Sequence, residues 1–373
     1  MTMDSENSGR RTFLKSAAAA STLALTGTGL ASAQDSPSGS PSGKLRVGVM
    51  GVVNSFTSWS WSDLMESDKE GNDPHGESFQ TPLLGMDITH VWDLDHAAAQ
   101  KYARRLDAKA VRGYDDMVGH VDGVIFGVLD DVPWYKYLAR PYLEAGIPTY
   151  LSRPFAYNLR DIDEILEMAG RHNTPLLATA KFEHYNEVPA LRRKVEQLGR
   201  MRLAHATGNA SDWPMHFHIM FMMMQIFGYD VEQVSLITDG IQRNRYCQMT
   251  LLYKGDSDGA PFLCTIHGVP NQDQLSVTLF GDTLTVTTNM LRSPEWRDSL
   301  LFRYAPQVIA IQRTFHGELF EPLDNIREKT RVWLAAYKSH LEHAGAAIDV
   351  GGLSPDWRAP YPQPDRIDLS MFR

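Results

Sequence analysis

The chain has 373 residues, 43% of them apolar and 22% charged, and a formal charge of −9. That length predicts two domains at roughly 150 residues each, and the composition is that of a soluble globular protein. An acidic chain with no basic run beyond its N-terminus argues against a nucleic-acid partner, which needs a concentrated positive face.

The first residues read as an address. SGRRTFLK pairs Arg10 with Arg11, the weakly apolar SAAAASTLALTGTGL follows, and ASA stands at 31–33. A charged region, an apolar region and a small-residue cleavage site make residues 1–33 a signal peptide of the twin-arginine (Tat) type. Removal on export to the periplasm or beyond is expected, by a route that carries chains already folded, often with a cofactor bound. The apolar run is too short and too rich in Ser, Thr and Gly to span a membrane. QDSPSGSPSGK, residues 34–44, reads as a flexible linker.

From Leu45 strands alternate with helices. LRVGVMG is a strand running into a glycine turn, and MDITHVWDLD (86–95) is a second strand. HAAAQKYARRLDA has helical spacing, and VDGVIFGVLD (121–130) has the continuous apolar run of a strand buried on both faces. PWYKYLARPYLEAG (133–146) predicts one helix and IPTYLS a strand. NLRDIDEILEMAGRHN predicts a helix capped by Asn158, followed by the strand TPLLATAKF. This alternation predicts an α/β fold with a doubly wound parallel sheet, set at residues 45–165. A polar segment near 57–85 is longer than an ordinary connection; His75 and Glu77 within it are candidates for a lid.

The second half, 166–353, changes character. After a helix at 188–198 come MRLAHATGNA, VEQVSLITDGIQ, NRYCQMTLLY, APFLCTIHGV and QLSVTLFGDTLTVTTN. Strands without intervening helices predict a mostly antiparallel sheet, with a hairpin at GDTLTV. Residues 320–345 form a closing helix and 354–373 a Pro-rich tail. Cys247 and Cys264 are the only cysteines, so no disulfide framework holds the fold. A tight turn near Asp256–Ser257 sets them two or three residues out of register, and no bridge is expected.

ITHVWDLD, VDGVIFGV, LEAGIPTYLSRPFA, HFHIMFMMMQIFG and EPLDNIREKTRVWLAAYKSHLEHAG, in this order and spacing, resemble landmarks of the Gfo/Idh/MocA oxidoreductase family. The resemblance covers essentially all of the mature chain. It implies an N-terminal Rossmann domain binding NAD or NADP, and a C-terminal domain whose open sheet carries the substrate site. It also implies a homo-oligomer packed through that sheet.

The departures from the family pattern are informative. Its turn after the first strand supplies three glycines; aligned on Gly51, the later two positions hold Val53 and Phe56. Side chains then stand where bare backbone normally meets the pyrophosphate, although free amides near Gly51, Val53 and Asn54 still attract phosphate. Asp93 matches the ribose-side acid and favours NAD over NADP; the other reading is a solvated strand-end aspartate. Where the family has Glu-Lys-Pro, this chain has Ser152-Arg153-Pro154. Arg153 keeps the charge beside cofactor and substrate, yet it stays protonated and cannot relay a proton; pairing with a surface acid is its bland alternative.

In NASDWPMHFHIM the family's acid/base histidine falls on His218 or His216, depending on alignment, and its following aspartate is Phe221 here. Either histidine suits proton transfer near neutral pH. A metal needs a third ligand, from Asp212, His184 or His267, and no tight spacing supplies it, so none is expected. Trp59 and Trp61, with Asp212 and Trp213, are candidates for contact with a sugar ring; paired tryptophans also serve simple packing. MFMMMQIF reads as an adaptable core helix.

Three readings stay open. The first is an exported NAD(P)-dependent oxidoreductase acting on a small carbohydrate, a sugar or polyol. The second is an NAD-retaining glycosidase or lyase on the same scaffold. The third is a cofactor-free carbohydrate-binding protein, for which Val53 and Phe56 argue.

Overall fold

The computed structural model describes residues 43–52, 85–127, 129–209, 216–239, 246–254, 260–269, 275–290 and 300–360. Residues 1–33, read as a signal peptide, and Val53, Asn54, Phe56, Trp59, Trp61, His75, Glu77, Asp212 and Trp213 lie outside them.

The first layer is a parallel sheet of β1 (Leu45–Met50), β2 (Met86–Trp92), β3 (Lys109–Ala110), β4 (Gly123–Phe126), β5 (Thr149–Ser152) and β6 (Leu176–Thr179). Its order, β3-β2-β1-β4-β5-β6, reverses between β1 and β4. That switch point is where open α/β sheets bind ligands, beyond the carboxyl ends of the strands. Helix α1 (His96–Leu106) starts where Asp95 Oδ1 accepts the amides of Ala97 and Ala98. The predicted helix 133–146 is divided into α2 (Tyr135–Leu138) and α3 (Arg140–Glu144), because Pro141 lacks the amide that would continue one helix. Helix α4 (Leu159–His172) is capped by Asn158 Oδ1, 2.7 Å from the Asp161 amide. The sheet runs past the boundary expected at 165, since β6 adds its last strand.

After α5 (Glu187–Val195) the second layer is a mixed sheet of β7 (Met201–Asn209), β8 (Val231–Thr238), β9 (Cys247–Tyr253), β10 (Phe262–Val269), β11 (Ser276–Gly281), β12 (Thr285–Asn289) and β13 (Ile348–Asp349). Its order is β12-β11-β7-β10-β9-β8-β13. β7 and β10 are parallel, and the other described pairs antiparallel. Burial alternates along β9, so one face meets the core and the other is open. Cys247 stands opposite Gly268 and Cys264 opposite Leu251, four residues apart and further than the tight turn implies. The connection from Tyr253 to Phe262 is longer than such a turn, and both thiols are free and buried.

Helix α6 (His216–Phe227) and two long helices, α7 (Leu300–Phe315) and α8 (Leu323–His343), complete the fold. The sequence reading missed α7, whose Val308, Ile311 and Phe315 pack with Val47, Ile88 and Tyr150 of the first sheet. Gly123 permits this approach: a Cβ there would lie 2.3 Å from the Phe315 ring. Helix α8 buries Trp333 and Tyr337 in the core shared with α6 and the second sheet. No helix among the described residues is long and apolar enough to cross a membrane.

Candidate active site

At the switch point β1 enters Gly51, which takes a left-handed φ of 81° that suits glycine. The Gly51 amide donates to the Trp92 carbonyl, tying the turn to the end of β2. Asp93, the next residue, is 4% exposed and therefore not a solvated strand-end aspartate. Its Oδ2 accepts the Val52 amide at 2.6 Å and its Oδ1 the Asp95 amide at 2.8 Å. Two backbone donors hold this carboxylate against the turn, where a ribose diol would meet an acceptor and a 2′-phosphate would meet like charge. The Asp93 carboxylate is the acceptor that the ribose at the adenosine end of NAD calls for.

Arg153 follows β5 directly and joins Pro154 through a cis peptide bond. Only 9% exposed, it does not behave as a surface arginine. Its Nη1 donates to Ser152 Oγ at 2.9 Å and its Nε to His218 Nε2 at 3.3 Å. A guanidinium cannot accept, so His218 presents a lone pair on Nε2 and carries its proton on Nδ1. Burial first, and then the charges of Arg153 and Lys181, hold the His218 pKa well below the ordinary imidazole range. His218 is thus a neutral acceptor that orients Arg153, its ring tilted against Phe182 at 5.2 Å.

His216 opens α6, so the two histidines lie on helical backbone and not on the extended segment that a shared ligand face requires. Among the described residues no three His, Cys, Asp or Glu side chains gather to hold a metal ion. His184 and His267 do not meet: His184 bonds Thr179, whereas His267 lies on the second sheet against His205 and Tyr246. Phe221, which the alignment on His218 sets at the expected aspartate, stacks on Phe155 at 5.4 Å. An apolar pair therefore occupies that place.

Beneath these groups lies a buried ionic triad absent from the sequence reading. Lys329 of α8 is fully buried and places Nζ 2.6 Å from the Ala178 carbonyl, 3.0 Å from Glu183 Oε2 and 2.5 Å from Glu321 Oε1. All three ammonium donors are used. Glu321 Oε2 in turn accepts the Ala178 amide at 3.0 Å. Ala178 belongs to β6, the sheet's edge strand, so the two side chains occupy ladder groups that an edge leaves open. Burial lowers the Lys329 pKa, but Glu183 and Glu321 more than offset it and the net shift is upward. Burial pushes Glu321 up to about 7 against the opposing pull of Lys329. The readable sign of this site was a lysine at helical spacing from Ile326 and Trp333, on the buried stripe of α8.

The strand order of the first sheet and the glycine turn after β1 are those of a dinucleotide-binding fold. Residues 45–179 match the Gfo/Idh/MocA family model, an oxidoreductase family with an NAD-binding Rossmann fold. That match spans the first sheet from β1 to β6, so it is the NAD-binding domain of this chain that is similar to the family. No curated protein sequence matches the chain.

Among solved structures, a probable dehydrogenase from Thermotoga maritima shares 16% identity, a TM-score of 0.64, 83% of this chain and 100% of its own. A myo-inositol dehydrogenase from Lactobacillus casei, solved with NAD(H) and myo-inositol, shares 14% identity and a TM-score of 0.64, over 82% of this chain and 96% of its own. A scyllo-inositol dehydrogenase from Lactobacillus casei, solved with NAD(H) and scyllo-inositol, shares 12% identity and a TM-score of 0.63, over 83% and 100%. At such identities the likeness is one of fold.

Proposed function

We propose that the mature chain is an exported, NAD-dependent oxidoreductase acting on a polyol or sugar. The observation that carries this reading is the Arg153–His218 pair, buried at the carboxyl end of β5 where the family places its lysine. When bound, NAD supplies a hydride acceptor at its nicotinamide. The Gly51 turn and Asp93 would hold its adenosine half. Arg153, fixed by Ser152 and His218, brings its positive charge to a substrate oxygen and stabilises negative charge that develops there. Inositol-type relatives support the substrate class. Export rests on the Arg10–Arg11 signal.

Assembly through the open sheet belongs to the same reading. Ile237, Leu263 and Phe280 stand on that sheet 53%, 43% and 37% exposed, apolar side chains that a second copy would cover. A dimer or larger oligomer by sedimentation is the expected state.

Titration of the purified mature protein with NAD and NADP in a calorimeter tests the reading; no heat with either cofactor overturns it. Given binding, Arg153→Lys is expected to lower kcat/KM for a polyol about 100-fold while changing NAD affinity little, because lysine cannot keep the fork between Ser152 and His218. Steady-state rates followed by nicotinamide absorbance read the first effect and calorimetry the second. An unchanged kcat/KM removes Arg153 from the site.

A further inference from the structure

Thr179 ends β6 and pairs directly with Ser152, the neighbour of Arg153. Tyr150 fixes its backbone: the phenol donates to the Thr179 carbonyl at 3.1 Å and receives Gln307 Nε2 at 2.8 Å. The Thr179 hydroxyl lies 2.7 Å from Glu183 Oε1 and 2.9 Å from His184 Nε2. Glu183 has only acceptors to offer here: Oε1 also takes the Ala180 amide at 2.6 Å, and Oε2 takes Lys329.

Donor accounting then fixes the ring. The hydroxyl hydrogen goes to Glu183, so the same oxygen must accept from His184, which places the imidazole proton on Nε2. A lone pair is left on Nδ1, which makes no hydrogen bond with any described residue. His184 is half-buried in the turn Lys181–His184, whose Phe182 packs on the histidine that holds Arg153. Burial lowers its pKa to about 4, with Glu183 raising it and Lys329 lowering it, so the lone pair persists at neutral pH.

We infer that His184 is a specificity-determining residue whose Nδ1 accepts a hydrogen bond from a hydroxyl of the polyol, with Thr179 and Glu183 as the positioning residues that set its tautomer. Arg153 brings positive charge to this end of the sheet and His184 a neutral acceptor, a combination that suits a hydroxyl. This rests on the oxidoreductase reading above for its ligand class. Histidine Nδ1 in place of carboxylate gives an acceptor without charge, so it takes a neutral hydroxyl and gives no advantage to a cationic ligand.

The test uses the whole mature protein, labelled with ¹⁵N-histidine, in long-range nitrogen–proton NMR at pH 7. In the free protein His184, assigned by its loss in His184→Gln, is expected as a single Nε2–H tautomer. Thr179→Val is expected to mix the tautomers and to weaken myo-inositol or sorbitol binding about tenfold by calorimetry. The Nδ1 resonance should shift on adding the polyol that binds and should not shift with the analogue lacking one hydroxyl. An Nδ1–H tautomer or an imidazolium at pH 7 overturns the inference, whatever the ligand. Binding with a silent Nδ1 overturns it while leaving the oxidoreductase reading intact. Absence of heat with every polyol and sugar tried, in the presence of NAD, overturns both.

Discussion

Lys329→Met is expected to lower the stability of the fold by about 3–5 kcal/mol. The ammonium is fully buried and uses its three donors on Glu183, Glu321 and the Ala178 carbonyl. Methionine fills similar volume but leaves two carboxylates facing each other without a counter-charge. It also leaves an edge-strand carbonyl without its donor. Methionine's affinity for the neighbouring Phe155 and Phe221 rings, over which Lys329 lies at 5.4 and 5.5 Å, returns only part of the loss. Urea unfolding monitored by circular dichroism measures the change. The triple variant Lys329→Met, Glu183→Gln, Glu321→Gln should recover most of it, because removing a whole buried ionic group costs far less than removing one partner. A single-variant loss below about 1 kcal/mol would mean that water reaches the carboxylates.

Glu321 is expected to make the fold less stable at pH 8 than at pH 5, relative to Glu321→Gln, by on the order of 3 kcal/mol. The sign follows from its pKa of about 7 in the fold against 4.5 for an ordinary carboxyl. The folded state holds the proton more tightly, so this contribution is complete below about pH 4.5 and is lost as pH rises through 7. Burial explains the direction: loss of solvation, helped by the repulsion of Glu183, outweighs the pull of Lys329. His184 and His218 run the other way: both are depressed, so their share of stability is present above the unfolded imidazole value and declines on acidification. The wild-type curve alone therefore mixes opposing slopes. Unfolding free energies of wild type and Glu321→Gln at pH 5, 6.5 and 8 isolate the Glu321 share. A pH-independent difference between them would show that Glu321 stays ionised throughout.

Much of the first sheet was legible because its strands are short apolar runs and its long helices carry Asp95 and Asn158 at their starts. β3 and β13 were not, since two residues apiece carry no periodicity. Helix α7 has Val308, Ile311 and Phe315 at helical spacing, but Pro306 interrupts the pattern that would have announced it. Of the candidate site, Arg153, His218 and Asp93 were singled out from strand ends and family resemblance. Their partners were not, because hydrogen bonds such as Asp93 to Val52 or Arg153 to His218 join distant positions with no shared periodicity. His184 drew notice only as a metal ligand; its bond to Thr179 needs the strand register to be seen. The triad joins residues 183, 321 and 329, and a lysine among charged neighbours passes for a solvated one.

The side chains that cover the β6 edge have a bearing on the order in which this protein is made. A ribosome releases residues 45–179 well before α7 and α8, so the nascent sheet has an uncapped last strand and a bare face at Val47 and Tyr150. Glu321 and Lys329 then arrive to occupy Ala178, and Phe315 to cover Gly123. The first domain to be synthesised is thus among the last to be finished, and a fragment that ends at residue 179 lacks what closes it.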